Sequence, residues 1–266
     1  WAGLEDVGAT GREACGNTVR NITASSKAGI DANELFDVSP YAQAAFEFFL
    51  RNPICQDMGR KIKPAFSSSD KDSAYTFLHD FGFIPRIENG ERGFKVVIGG
   101  GLGAQAILAQ TAYEFLHEDQ IIPFMEAALR VFDRYGERVR RHKARMKYLI
   151  KEIGLEKFME LVETERKANK VKHFKIDTTK VDVGEPTHNN IAPQVKIEDV
   201  KRYEDWLKVN VFEQKQEGFF AVALKVTKGD VKPDQARKIA ELAQNFASED
   251  MRITMNQGML LKFVRK

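Results

Sequence analysis

Phe94-Lys95-Val96-Val97-Ile98-Gly99-Gly100-Gly101-Leu102-Gly103-Ala104 is the stretch on which the fold class turns. Its first half, with Phe83 to Glu88 and the turn Asn89-Gly90 before it, reads as a β-hairpin. Its second half formally satisfies the G-x-G-x-x-A pattern of a dinucleotide-binding turn. Such a turn needs another parallel strand soon after its helix, with an acidic residue at its end. Here the sequence predicts helix from about Ala104 to Leu116 and again from about Ile121 to Ile153, broken at Gly136, through strongly basic sequence. The glycines therefore read as admitting close backbone approach to a large flat or anionic ligand. The fold class is α+β: a mixed-sheet domain flanked by helices, followed by a small unit of strand, helix and strand. A dinucleotide-binding oxidoreductase using Gly99 to Ala104 stays open as the alternative.

Upstream, the chain to about Ser39 is rich in Gly, Asn, Thr and Ser and reads as loops and short strands. Pro40 to Arg51 has helical spacing, with Ser39 as N-cap and Pro53 as terminator. Lys61 to Ser67 reads as a strand, and Asp72 to about Phe81 as a helix. Downstream, periodicity fades between about Glu163 and Gln194. Helix is expected again at Lys201 to Val209, a buried strand at Gly218 to Val226, a helix at Lys232 to Ser248, and a strand or hairpin at Met251 to Val264. The expected division is residues 1–165, a linker at 166–200, and a compact α+β unit at 201–266.

A chain of 266 residues exceeds what one core usually organises. Its 41 basic and 38 acidic residues leave a net charge of only +3, which does not by itself imply nucleic acid. No apolar run is long enough to span a membrane, and the start has no leader pattern, so a cytoplasmic protein without membrane or nucleic-acid partners is expected. Cys15 and Cys55 cannot supply a disulfide framework or a four-cysteine site. His79, His117, His142, His173 and His188 show no metal-ligand spacing and read as structural or surface residues.

Three segments could carry chemistry. Gly16-Asn17-Thr18-Val19-Arg20-Asn21-Ile22-Thr23 sets a guanidinium among amides and hydroxyls, which suits an oxyanion; the plainer reading is a loop satisfying its own backbone. In Arg60-Lys61-Ile62-Lys63, alternation along a strand puts Lys61 and Lys63 on one face, where the plainer reading is a lysine-protected edge. Arg134, Arg138, Arg140, Arg141, Lys143, Arg145 and Lys147 form a dense basic run. It reads as a solvated helix face, with a non-catalytic nucleic-acid-binding module as a further alternative.

Taken together, Ala14-Cys15-Gly16-Asn17-Thr18-Val19-Arg20-Asn21-Ile22, Arg60-Lys61-Ile62-Lys63 and Gly99-Gly100-Gly101-Leu102-Gly103 resemble, in order and spacing, the siroheme-dependent sulfite and nitrite reductases. Gly218-Phe219-Phe220-Ala221-Val222 and Arg252-Ile253-Thr254-Met255-Asn256-Gln257 are similar to that family's ferredoxin-like half-domain. The resemblance implies a fragment comprising the first siroheme and substrate domain and the second half-domain, from an enzyme reducing sulfite to sulfide or nitrite to ammonia. It implies two cofactors, siroheme and a four-iron iron–sulfur cluster whose cysteines this chain lacks, so the fragment is expected to be inactive alone. Carried over, Arg20, Lys61 and Lys63 fall where the family receives its oxyanion. Asn17, Asn21, Gly99, Gly100, Gly101, Arg252, Thr254 and Asn256 fall where it approaches the ring. The basic stretch around Arg138 and Arg141 is a further candidate for the ring's carboxylates. The implied partners are sulfite or nitrite, a ferredoxin or flavoprotein electron donor, and the remainder of the chain. Self-association of the isolated fragment is also expected.

Overall fold

The computed structural model describes residues 2–186 and 195–265. A single turn, α1 (Ala2–Glu5), precedes a loop-rich segment and the short strand β1 (Thr23–Ala24). Helix α2 (Ser39–Phe49) starts one residue earlier than the sequence predicts: Val38 is the cap and Ser39 the first helical residue. Strands β2 (Pro64–Phe66), β3 (Phe81–Glu88), β4 (Glu91–Ile98) and β5 (Gln110–His117) complete a sheet of order β1-β2-β3-β4-β5. The first three strands run parallel and the last three antiparallel, which makes the sheet mixed. Asn89 (φ 52°) and Gly90 (φ 81°) both take the left-handed conformation that a two-residue hairpin turn requires.

Two expected helices are absent. Residues 104–109 form a loop and β5 occupies the rest of the predicted Ala104–Leu116 helix. Thr111, Tyr113 and Leu116 pair against β4, and tertiary pairing overrides local preference. The strand after the glycines is thus antiparallel to the one before them, which removes the dinucleotide-binding alternative. Between Asp72 and Phe81 only a 3-10 turn forms, Thr76–Leu78, because Tyr75 is left-handed (φ 53°) and interrupts the helix.

Helices α3 (Ile121–Tyr135), α4 (Met146–Ile153) and α5 (Leu155–Ala168) follow, with the predicted break at Gly136. They pack with α2 on the sheet around one core that includes Tyr41, Phe49, Phe66, Phe81, Phe94, Phe124, Phe132 and Phe158. Phe66 stacks on Phe83 at 4.5 Å, and Phe94 meets Phe36 edge-on at 5.4 Å. Beyond α5 the chain stays fastened to this body: the Phe174 N–H donates to the Asp119 carbonyl (2.9 Å) and its ring packs on Phe48.

Helix α6 (Val200–Asn210), β6 (Val211–Glu213), β7 (Phe219–Leu224), α7 (Pro233–Phe246), β8 (Met251–Ile253) and β9 (Met259–Arg265) form the C-terminal unit. Its sheet, order β6-β7-β9-β8, is antiparallel throughout. On β7 only Ala221 is buried, where the sequence predicts a buried strand, because this unit has little core of its own. One side of the sheet is closed by Ala243 and Ala247 at and just after α7, the other by Ile30 from the N-terminal unit, fully buried with Ala221, Leu260 and Phe263. The Lys215 N–H donates to the Ile30 carbonyl, the Gln216 side chain donates to the Gly29 carbonyl, and Lys215 pairs with Glu34. Residues 26–34 thus join the two units. Among the described residues no helix is long and apolar enough to cross a membrane.

Candidate anion and siroheme site

The site begins with two short segments that meet as parallel chains. Val19 bridges Ile62; the Arg20 N–H donates to the Ile62 carbonyl (2.9 Å) and the Ile62 N–H to the Thr18 carbonyl (3.0 Å). Val19 and Ile62 face the core, at 4% and 0% exposure. Extended backbone sends neighbouring residues to the opposite face, so Arg20, Lys61 and Lys63 emerge together on the other side. The Arg20 guanidinium folds back on the Gly16 carbonyl (2.9 and 2.8 Å). Burial first, then Arg20, Lys63, Arg145 and Arg60, hold the Lys61 ammonium below its ordinary value. Burial, then Arg141, Arg20 and Arg145, do the same to Arg60. Among the described residues, no carboxylate forms an ion pair with Arg20, Arg60, Lys61, Lys63 or Arg141. Mutually repelling cations without a carboxylate partner make this face electropositive.

Asp80 ties this face to the glycine loop. Fully buried, its carboxylate accepts from the Lys63 N–H (2.9 Å) and from the Arg145 guanidinium (2.8 to 3.2 Å), while its carbonyl accepts from the Gly99 N–H (3.0 Å). The glycines serve packing. A Cβ at Gly100 would lie 2.4 Å from the Phe77 carbonyl, and one at Gly99 2.7 Å from Ile150. Lys147, 2% exposed, donates to the carbonyls of Gly101, Leu102 and Gln105 and pins the loop from below. Burial pushes its ammonium down. Beside the loop, burial also pushes the His79 imidazole down.

The other predicted residues lie beside this cationic face or away from it. The Asn17 carbonyl accepts from the Met58 N–H, and Asn21 lines a 250 Å³ cleft with Arg20, Thr23 and Phe46. Arg252 turns inward, donating to the Ser26 (2.9 Å) and Ala28 carbonyls. Thr254 caps its own turn through the Gly258 N–H (3.1 Å). Asn256 accepts from the Tyr75 hydroxyl (2.9 Å), and with Thr254, Tyr75, Phe212 and Met255 it lines a 380 Å³ cleft between the units. The structure therefore brings Arg20, Lys61 and Lys63 together, links Gly99–Gly101 to them through Asp80 and Arg145, and reaches Asn256 by way of Tyr75.

The basic run is solvated from Arg134 to Lys143, as its sequence predicts, but it spans the end of α3, a loop and the start of α4 and does not form one helix face, and most of its charges are paired. Arg134 pairs with Glu165, Arg138 with Asp133, Arg140 with Glu137 and Arg145 with Asp80, and Lys147 is buried. A nucleic-acid surface built on that run loses most of its free charge. His117 and His173 both contact the Asp119 carboxylate, and His188 lies outside the described residues. Sequence reading missed Asp80, and it placed Arg145 and Lys147 in the basic run without linking them to the glycine loop. One signal was present for Lys147: it stands three residues before the core residue Ile150, on the same side of α4.

Among the described residues no group of His, Cys, Asp or Glu is arranged to hold a metal. Burial and Glu13 push the Cys55 thiol up to about 12, and Cys15 is exposed, so the residues present do not fit a four-iron cluster. They do fit a polyanion: the uncompensated face of Arg20, Lys61 and Lys63 can take a ring carboxylate or a small oxyanion.

Two family models match the chain, one over each unit. That of the nitrite and sulphite reductase 4Fe-4S domain matches residues 15–171, and that of the nitrite/sulfite reductase ferredoxin-like half domain matches residues 212–266. The structure of the NirA protein of Mycobacterium tuberculosis superposes on the whole chain with a TM-score of 0.77 and 28% identity, over 44% of its own length. Sulfite reductase [ferredoxin] 1 of Mycolicibacterium paratuberculosis is 37% identical over 62% of this chain and 30% of its own. The chloroplastic ferredoxin–nitrite reductase of Zea mays is 27% identical over 97% of this chain and 43% of its own. The chain thus spans less than half the length of each of these relatives. With both of its units matched in order, the chain belongs to the nitrite and sulphite reductase family.

Proposed function

We propose that this chain is the siroheme-side unit (1–165), connecting segment (166–200) and ferredoxin-like half-domain (201–266) of a cytoplasmic enzyme that reduces sulfite to sulfide or nitrite to ammonia. The observation that carries the reading is the face shared by Arg20, Lys61 and Lys63, with no carboxylate to compensate it. These cations lower the cost of bringing an oxyanion beside an already polyanionic ring and hold protons where oxygen departs as water. Bound siroheme supplies the iron centre and, with an iron–sulfur cluster held elsewhere, the electron path from a ferredoxin or flavoprotein donor. Asn17, Asn21, the Gly99–Gly101 backbone, Arg252, Thr254 and Asn256 are the residues we assign to the ring and its carboxylates. With the cluster cysteines absent, the isolated chain binds but does not reduce.

Val200, Tyr203, Trp206 and Val209 on α6 are exposed, between 41% and 80%. This surface supports docking of the remainder of the protein or, without it, self-association. A concentration-independent monomer in sedimentation velocity contradicts the second part. The reading as a whole is tested by turnover: a full-length protein loaded with siroheme and cluster reduces one or both anions, and Lys61→Ala/Lys63→Ala abolishes most of that activity. A loaded protein that reduces neither overturns it.

A further inference from the structure

Helix α4 meets the candidate site at two points, and neither side chain needs to touch the anion. Arg145, just before α4, grips Asp80 with both Nε and Nη2, and the pair is largely shielded, at 17% and 0% side-chain exposure. Asp80 in turn holds the Lys63 N–H through its carboxylate and the Gly99 N–H through its carbonyl. One residue therefore fastens the lysine strand, the glycine loop and α4 to each other. Its ion pair is with Arg145, which stands next to the cations of this face.

We propose that the Asp80–Arg145 pair is the positioning element of the anion site, bracing Lys61 and Lys63 against the glycine loop without adding net charge to the face. This rests on reading Arg20, Lys61 and Lys63 as the anion site. Removing Asp80 would leave Arg145 as a further uncompensated cation beside Lys61 and Arg60, both of which already feel it. Removing Arg145 would take away one of the cations that repel Lys61. The two single changes thus push Lys61 in opposite directions, whereas mere loosening of the structure would expose it in both.

The test is competitive acetylation of Lys61 by acetic anhydride at pH 8, read by mass spectrometry against the exposed Lys208 in the same sample. Asp80→Asn is expected to speed Lys61 acetylation at least threefold and Arg145→Gln to slow it at least twofold. The neutral double variant Asp80→Asn/Arg145→Gln should return within twofold of the starting protein. Rates that are unchanged, or that shift the same way in both single variants, overturn the proposal. Should Asp80→Asn not fold, Arg145→Gln and the double variant decide on the same criteria. In the loaded full-length enzyme, Asp80→Asn should raise KM for the anion at least tenfold with a smaller change in kcat, and an unchanged KM overturns the positioning role. If the unmodified enzyme reduces neither anion, the functional reading fails and acetylation alone decides the role of the pair.

Discussion

Two groups of cations differ in a way their sequences conceal. The run from Arg134 to Lys147 is the densest positive stretch in the chain, yet four of its arginines pair with carboxylates and its last lysine is buried against three carbonyls. Arg20, Lys61 and Lys63 are sparse and distant in sequence, yet they share one face and none forms an ion pair there. Density of charge along a chain and availability of charge in space are separate properties. Only the second leaves positive charge open to an anion.

The sharpest way to break this contrast is at Asp80. Asp80→Ala strips a largely buried arginine of its partner and frees the Lys63 and Gly99 segments. It should cost about 3–5 kcal/mol in urea unfolding. A loss below about 1 kcal/mol would show that the pair braces nothing. Next is Gly100→Ala, whose added Cβ meets the Phe77 carbonyl. We expect a loss of about 1–3 kcal/mol by the same measurement, and an unchanged midpoint would mean the loop gives way freely.

A smaller effect concerns pH. Burial holds His79 below the ordinary 6.5, so the unfolded chain binds its proton first as pH falls. Stability from this group is therefore present above 6.5 and lost as pH drops from there toward the folded value. His117 is shifted the opposite way by Asp119 and opposes the trend, so the comparison must be with His79→Gln. That variant should lose less stability between pH 7 and 5.5 than the original, and identical slopes contradict the assignment. The smallest effect is expected at Arg134→Ala, an exposed member of the compensated run, which should change neither the unfolding midpoint nor siroheme affinity measurably.

How much of this was legible depended on how local the determinants were. The Asn89-Gly90 hairpin, α2, α3 and α7 were readable because turn chemistry and helical spacing operate within a few residues. Lys61 and Lys63 were readable as face-mates because alternation around Ile62 suffices. Asp80 was illegible: it stood at the end of a helix that Tyr75 prevents, and its importance arises from Lys63, Gly99 and Arg145, all distant in the chain. Likewise Thr111 to Leu116 became a strand only because β4 was there to pair with it. The inward turn of Arg252 onto the Ser26 and Ala28 carbonyls follows from docking of the half-domain and carries no local signature.

The most direct measurement is an optical titration of the protein with siroheme, comparing Lys61→Ala/Lys63→Ala with Arg134→Ala/Arg138→Ala. Two positive charges are removed in each case. If free charge in space governs the site, the first variant binds at least tenfold more weakly and the second binds as the original does. Equal weakening in both, or a larger loss in the second, would contradict the account.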